Sequence, residues 1–293
     1  MTSLRRLLFQ EISQVAAIAY QRHHRLSRHG EPRVQWIPAS SGSCLRMRAG
    51  LLPHLQGSHH VQVLVFWGVN DFGTKQKILD LHNKYRSYVA QGKERRGAPG
   101  PQPPAANMNR LKWDDELSRV AQRWADQCDF KHDTCRNVDR FGWVGQNLYK
   151  EALWKSNGVD PDNVQHWDVA IKAFYEEVVD LNNKNIDKFN SYSSRNQTGH
   201  YTQLVWGKTL LVGCGFISYW EWRDGKDWYN KYYACNYAPG GNVIAQKVYE
   251  KGKACSKCPP DTICRDGLCT ANFPMLISIV KNIFPNLYNL LRG

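Results

Sequence analysis

Four polar residues in the middle of the chain have side chains that could take part in chemistry: His132 in "CDFKHDTC", Gln146 in "VGQNLY", Glu177, and His200 in "TGHYTQLVW". Imidazoles and carboxylates transfer protons and bind metals near neutral pH. The sequence has no Gly-x-Ser-x-Gly elbow, no phosphate-binding loop, no dinucleotide fingerprint and no His-Glu-x-x-His. By spacing alone, two histidines this far apart are more often surface or packing residues than ligands.

Three helices are the first elements that must position these residues. One is predicted from Thr74, a candidate N-cap, to Gly92, and a second begins at the cap Asp114 in "WDDELSRVAQRWADQC". The third has the most regular pattern, with apolar residues at intervals of three and four: Val164, Trp167, Ile171, Phe174, Val178 and Leu181. Glu177 lies at the border of this stripe, where its carboxylate can point into a cleft beside the packed face.

Strands are predicted after the helices, in "YTQLVW", "TLLVGCGFISYW" and "WYNKYYACNY". Cys214 and Cys235 are equidistant from the turn signal Asp224-Gly225. In a two-residue hairpin they therefore face each other at a closely spaced position that suits a disulfide. Closing a loop of this length contributes about 3 kcal/mol in the chain-entropy model. Three helices before a hairpin-rich sheet predict an α+β domain with helices packed on the sheet.

The nine cysteines, eight of them from Cys128 onward, favour an oxidising compartment. The segment "CSKCPPDTICRDGLC" holds four of them: Cys255, Cys258, Cys264 and Cys269. Because the gap between the second and the third is only five residues, disulfides are favoured over a zinc site. Of the three connectivities we prefer Cys255 with Cys264 and Cys258 with Cys269.

The net charge of +13 is uneven, because residues 1–60 contain eight Arg and no Lys against two Glu. A basic balance favours anionic partners such as phospholipid surfaces, glycosaminoglycans or nucleic acid. We expect no nucleic-acid partner, because no zinc-finger spacing, RNP-like segment or basic run interleaved with aromatics is present. The N-terminal residues lack the pattern of a signal peptide, because Glu11 interrupts their apolar part and no small-residue cleavage site follows.

Two longer segments, "GHYTQLVWGKT" and "YYACNYAPGGNV", resemble the signature segments of the CAP superfamily, which groups cysteine-rich secretory proteins, antigen 5 and pathogenesis-related 1 proteins. "ILDLHNKYRSYVAQG", "VAQRWADQCDFKHDTC" and "VGQNL" are similar to the insect venom allergen 5 branch, so the resemblance spans about residues 72–249. It implies an α-β-α sandwich with a cleft that holds two histidines and two acids. By position these are His132, His200 and Glu177, with Gln146 in place of the second acid, as in the antigen 5 branch.

The resemblance implies a secreted protein that binds a lipid or sterol, or a host or tissue target, and is not an enzyme. Gln146 weakens the chemistry, because an amide neither takes a proton at neutral pH nor neutralises a dication. One alternative is a metal-dependent hydrolase in which His132, His200 and Glu177 hold zinc with water in an open position. Another is a disulfide-stapled scaffold with a vestigial cleft. The favoured function requires no cofactor. If the cleft held one, its residue types suggest a zinc ion.

The resemblance also bears on the upstream cysteines. In the antigen 5 branch, two cysteines of an N-terminal segment pair with those that match Cys128 and Cys135. Only Cys44 lies upstream in this chain, so at most one such pair can form. Asn196-Gln197-Thr198 is a glycosylation sequon directly before His200, where a glycan would crowd the cleft.

Pattern and resemblance together divide the chain into four parts. These are an atypical basic region, disordered or mispredicted (1–70), the CAP domain (71–250), a small cysteine-rich, hinge-like extension (251–270) and an amphipathic tail (271–293). The alternative for the first part is a genuine basic tail that binds anionic surfaces. The C-terminal tail is apolar but contains Lys281 and Pro285, which suits peripheral contact with a membrane better than a membrane span.

Overall fold

The computed structural model describes residues 61–62, 69, 71–154, 164–190 and 196–272, all within the unit Leu55–Gly293. Most of the predicted basic region and nearly all of the predicted C-terminal tail lie outside these residues, so the predicted division of the chain stays a prediction. Within the described ranges, no helix is long and apolar enough to cross a membrane.

Four α-helices and seven strands make up the described chain. The helices are α1 (Phe72–Ala90), α2 (Asp115–Ala125), α3 (Trp167–Glu176) and α4 (Gly199–Leu204). The strands are β1 (Val61–Gln62), β2 (Lys112–Trp113), β3 (Gly145–Trp154), β4 (Leu211–Arg223), β5 (Lys226–Ala238), β6 (Thr262–Arg265) and β7 (Leu268–Ala271). Short 3₁₀ turns follow α3 at Glu177–Asp180 and Asn183–Ile186.

The central sheet has the strand order β1-β4-β5-β3, with β2 paired in parallel to β4. Its longest pair is the β4–β5 hairpin, which turns at Asp224-Gly225 and places Cys214 opposite Cys235. Their Cα atoms are 4.1 Å apart and the two residues form a disulfide. The hairpin and the disulfide predicted from the symmetric spacing are both confirmed.

Helices cover both faces of this sheet, which confirms the predicted α-β-α sandwich. On one face α2 packs closely, because Gly213 and Gly215 leave no Cβ between the strand and the helix backbone. There the Gln122 amide donates to Phe216 O at 2.8 Å and accepts from Phe216 N at 2.9 Å. The other face forms the larger core with α1, α3 and α4, which includes Ile78, Trp167, Phe174, Phe216, Tyr233 and Tyr237.

The helix ends follow ordinary capping rules, with one correction. The predicted cap Asp114 accepts from Leu117 N at 2.9 Å, as expected. At α1, however, the cap is Asp71, whose carboxylate accepts from Thr74 N at 2.7 Å, because an N-cap side chain reaches the free N–H of the third helical residue. α1 ends at Ala90, and Gly92 with φ +67° allows the chain to turn there.

The third predicted helix is shorter than its apolar stripe. The α-helix covers Trp167–Glu176 and tightens into a 3₁₀ turn at Glu177. The stripe is buried as predicted except for its first residue, Val164, which is exposed and precedes the helix.

The prediction of a strand in "YTQLVW" was wrong, because residues 199–204 form the short helix α4. Distant side chains stabilise this turn. The Glu177 carboxylate accepts the N–H groups of His200 and Tyr201, and the Thr202 hydroxyl donates to Asn242 Oδ1 at 2.7 Å. These tertiary contacts override the β propensity of the segment.

The C-terminal cysteines form the predicted disulfides, Cys255 with Cys264 and Cys258 with Cys269. They staple a small β6–β7 hairpin that packs on the domain, since Cys269 N donates to Met108 O at 2.8 Å.

The two remaining cysteines of the described chain differ from each other. Cys135 is disulfide-bonded, whereas Cys128 carries a free thiol whose pKa is raised to about 12, mainly by burial. Cys44 lies outside the described residues, so its pairing stays a prediction.

Candidate functional site

Two consecutive residues of β3 organise the candidate site. Because side chains alternate along a strand, Gln146 and Asn147 point to opposite faces of the sheet. Gln146 Oε1 lies 3.0 Å from His132 Nδ1, and Asn147 Nδ2 donates to His200 O at 2.9 Å. One histidine is therefore anchored on each side of the strand, and the four predicted cleft residues form two pairs.

The His132 pair is held by an uncharged amide. Gln146 Oε1 also accepts from Asp133 N at 3.0 Å, which identifies it as the acceptor, so His132 Nδ1 carries the proton and donates. Gln146 Nε2 donates to Asn236 Oδ1 at 3.0 Å. Loss of hydration lowers the pKa of His132, the Gln146 bond offsets part of this, and the positive charge of Arg136 lowers it further. Burial and Arg136 thus favour the neutral form of the His132 ring.

The His200 pair is held by a carboxylate. Glu177 Oε1 lies 2.6 Å from His200 Nδ1, while Oε2 accepts from the backbone N–H of His200 at 2.8 Å and of Tyr201 at 3.1 Å. Both oxygens are thereby occupied, and the carboxylate caps the N-terminus of α4 as well as orienting the ring. Phe174 packs beside the imidazole with 5.1 Å between the ring centroids.

Asn242 connects α4 to the loop that follows β5, and the sequence patterns did not single it out. Asn242 Nδ2 donates to Gly199 O at 2.7 Å, and its Oδ1 accepts from the Thr202 hydroxyl. The buried Gln203 side chain accepts from Gly241 N at 2.8 Å. The sequence could have indicated these contacts in one way, because the residues lie in "GHYTQLVWGKT" and "YYACNYAPGGNV", the two segments that carry the family resemblance.

Two exposed aromatic rings, which sequence reasoning also missed, lie close in sequence to His132 and Gln146. Trp143 is 49% exposed, although its Nε1 donates to Gly241 O at 3.0 Å and the Arg136 guanidinium lies 5.3 Å from its ring. Arg136 in turn donates to the carbonyls of Val144 and Asp133. Phe130, two residues before His132, is also 49% exposed. Rigidly held, solvent-facing aromatic surface is typical of a binding site.

The described residues offer few free ligands to a zinc ion. Each imidazole uses Nδ1 for its partner, which leaves only the two Nε2 atoms as donors, and both Glu177 oxygens are occupied. Among the described residues, no group of three or more His, Cys, Asp or Glu side chains is arranged to hold a metal ion. Zinc sites in proteins use three or four such ligands, so we derive no step through a metal.

The predicted glycosylation residue, Asn196, is exposed and lies three residues before α4, while Thr198 is buried at the helix N-terminus. Its modification stays a prediction.

Known proteins with similar sequences identify the family. Residues 79–237, more than half of the chain, match the CAP cysteine-rich secretory protein family. Venom allergen 5.01 of Dolichovespula maculata is 46% identical over 178 residues, which cover 60% of this chain and 72% of that protein. The venom allergen 3 homolog of Dinoponera quadriceps is 47% identical over 176 residues, covering 60% and 71%.

Solved structures are also similar to this chain. The crystal structure of NaASP2 with Zn²⁺ has a TM-score of 0.54 at 33% identity and covers 68% of this chain and 96% of that one. The structure of BmVAL-1 has a TM-score of 0.58 at 29% identity, covering 70% and 97%. The chain therefore belongs to the CAP family and is a CAP-domain, venom allergen-like protein.

Proposed function

We propose that the protein is a secreted binding protein whose cleft takes up an amphipathic lipid or sterol and does not catalyse a reaction. One observation carries this proposal: the only carboxylate among the four cleft residues, Glu177, has both oxygens occupied by His200 and the α4 backbone. Glu177 is therefore used to orient His200 and to cap α4, and an acid–base reaction would have to use the Nε2 atom of a histidine. Gln146 cannot serve, because an amide does not take up protons at neutral pH.

The surroundings of the histidines also favour binding. Within the described ranges, neither ring is hydrogen-bonded to a serine, threonine or cysteine side chain, so no activated nucleophile of the usual kind is present. The two Nε2 atoms remain able to accept a hydrogen bond from a hydroxyl group. Trp143 and Phe130, which are close in sequence to Gln146 and His132, expose apolar surface. A molecule with one polar end and an apolar body matches this combination.

The disulfides and the relatives support secretion. Three disulfides join described residues, and such bonds persist in oxidising, extracellular environments. The matched family is named for secretory proteins and the similar proteins for venoms.

A sterol titration tests the proposal. The fluorescent sterol dehydroergosterol is titrated into wild-type protein and into Trp143→Ala, Trp143→Phe and Trp222→Ala. Trp222 is the matched control, because it is 45% exposed but lies on the β4–β5 hairpin. We expect saturable binding, a Kd about tenfold weaker for Trp143→Ala, and an unchanged Kd for Trp222→Ala, since an aromatic contact contributes about 1 kcal/mol or slightly more. Trp143→Phe should keep most of the affinity.

Two results would overturn the lipid proposal. One is the lack of saturable binding both to this sterol and to a fluorescent fatty acid. The other is an equal loss of affinity in Trp143→Ala and Trp222→Ala. Calorimetric titration of zinc into wild type and His200→Ala addresses the metal-dependent alternative. We expect the same heats from both proteins, and a site that disappears in the variant would support the alternative instead.

A further inference from the structure

We propose that a lysine-rich surface, separate from the four cleft residues, binds a sulfated glycosaminoglycan. The surface, here called the lysine face, consists of two segments, residues 183–190 and 246–257. It carries six exposed lysines and two acidic residues: Lys184, Lys188, Lys247, Lys251, Lys253, Lys257, Asp187 and Glu250. The proposal does not depend on what the cleft binds.

Backbone hydrogen bonds join the two segments into one surface. Phe189 N donates to Gln246 O at 2.7 Å, and Val248 N donates to Ile186 O at 2.9 Å. The second segment is also fixed to the loop before β2, since Gly252 N donates to Pro104 O and Lys257 N to Ala106 O, each at 3.0 Å. The lysine side chains therefore project from a backbone that is already ordered, which lowers the entropy cost of binding.

The charges of the lysine face are only partly neutralised. Lys251 pairs with Asp187 at 2.6 Å, and Glu250 is shared between Lys247 at 2.9 Å and Lys257 at 3.6 Å. Six lysines against two carboxylates leave a net charge of +4. Because these ion pairs are solvent-exposed, each contributes little, and the ammonium groups remain available to a polyanion.

The side chains of the lysine face favour a sulfated polysaccharide over a membrane or a nucleic acid. Within residues 183–190 and 246–257 no large apolar side chain is exposed, because Ile186, Phe189, Val248 and Tyr249 are all buried. Ile244, two residues before the second segment, is 57% exposed, but one aliphatic side chain is a weak membrane anchor. A bilayer would need an apolar anchor, and single-stranded nucleic acid would need an exposed aromatic platform. The disulfides indicate an extracellular setting, where sulfated glycosaminoglycans supply the repeated negative charges that several lysines can bind as point charges.

Heparin binding of the full chain at several salt concentrations tests this proposal. The test variant is Lys247→Gln/Lys251→Gln/Lys257→Gln. The control is Lys84→Gln/Lys93→Gln/Lys172→Gln, which removes the same charge from exposed lysines elsewhere. Both keep the eight arginines of residues 1–60. If heparin releases counterions as nucleic acids do, the plot of log affinity against log salt should become shallower by roughly two units of slope in the test variant. The slope of the control variant should change little.

A charge-preserving variant and two competing ligands distinguish specific binding from general charge attraction. Lys247→Arg/Lys251→Arg/Lys257→Arg should keep the wild-type slope, because it preserves the charges. An equal loss in the test and control variants would overturn the proposal, since it would indicate general charge attraction. Equal competition by unsulfated hyaluronan would also overturn the proposal. Binding to phosphatidylserine vesicles without binding to heparin would do the same.

Discussion

The two halves of the cleft orient their histidines in the same way but with different chemistry. His200 donates from Nδ1 to the carboxylate of Glu177, and His132 donates from Nδ1 to the amide of Gln146. The carboxylate is also part of the fold, because it caps α4 through two backbone N–H groups. The amide instead connects the ring to β5 through Asn236.

The Glu177–His200 pair therefore contributes mainly to the stability of the fold, and the Gln146–His132 pair mainly to the charge state of the site. A charged acceptor at Glu177 stabilises a helix of only six residues, which would be marginal without it. A neutral acceptor at Gln146 positions His132 without adding charge at the cleft mouth. We therefore expect substitutions in the His200 half to affect stability most and substitutions in the His132 half to affect protonation most.

The largest effect is expected for Glu177→Ala. The change removes an acceptor from His200 Nδ1 and from two backbone N–H groups, and hydrogen bonds to charged groups contribute about 1.5–3 kcal/mol each before relaxation. We expect the free energy of unfolding in urea to fall by about 2–4 kcal/mol. Amide exchange at His200 and Tyr201 should accelerate more than elsewhere.

Glu177→Gln is the matched control for that prediction, because an amide oxygen still accepts at one position. Its loss should be about half that of the alanine variant. Equal losses in both variants would contradict the idea that the charge is what stabilises α4.

Gln146→Ala should have a smaller effect. The side chain is buried and makes only neutral hydrogen bonds to Asp133 N and Asn236, apart from the contact with His132. Neutral bonds contribute about 1 kcal/mol each, so we expect a loss of about 1–2 kcal/mol in the same urea measurement. A loss as large as that of Glu177→Ala would reverse the comparison between the two halves.

The scaffold was more predictable than the cleft because its signals are local. The hairpin followed from the symmetric placement of Cys214 and Cys235 about one turn, and α2 followed from its cap Asp114. The close packing of α2 on the sheet depends on Gly213 and Gly215. From a strand pattern alone, a glycine that allows such packing looks the same as one that only weakens the strand.

The cleft depends on contacts between residues that are distant in sequence. Residues 201–206 have the composition of a strand, yet residues 199–204 form a helix, which the Glu177 carboxylate and the Asn242 amide contact at its first turn. The resemblance to the CAP family supplied the four cleft positions. It did not indicate that Trp143 is held by Gly241 beside them, because that contact joins two loops.

Gln146→Glu tests the electrostatic half of the comparison. A carboxylate beside His132 Nδ1 favours the charged ring, so we expect the pKa of His132 to rise above its wild-type value, measured by NMR titration of the ring protons. Asn236 Nδ2 is buried without a hydrogen-bond partner, and a rotation of this amide would let it donate to the new carboxylate. The variant should therefore fold as well as wild type. A pKa that stays the same or falls would contradict the assigned contact.

The smallest expected effect is the pH dependence that His132 gives to stability. Because the folded pKa of His132 is lowered, the unfolded chain binds more protons. The stability that the neutral ring contributes is present above the ordinary histidine pKa of about 6.5, and it is lost as the pH falls from there through the lower folded pKa. His82 acts in the same direction, because burial lowers its pKa to about 4. His132→Asn should therefore only reduce the loss of unfolding free energy between pH 7.5 and pH 5.5. The reduction should be smaller than the cost of Gln146→Ala, because solvent at the exposed His132 ring screens the interaction. A steeper pH dependence in the variant would show that His132 is favoured in its charged form.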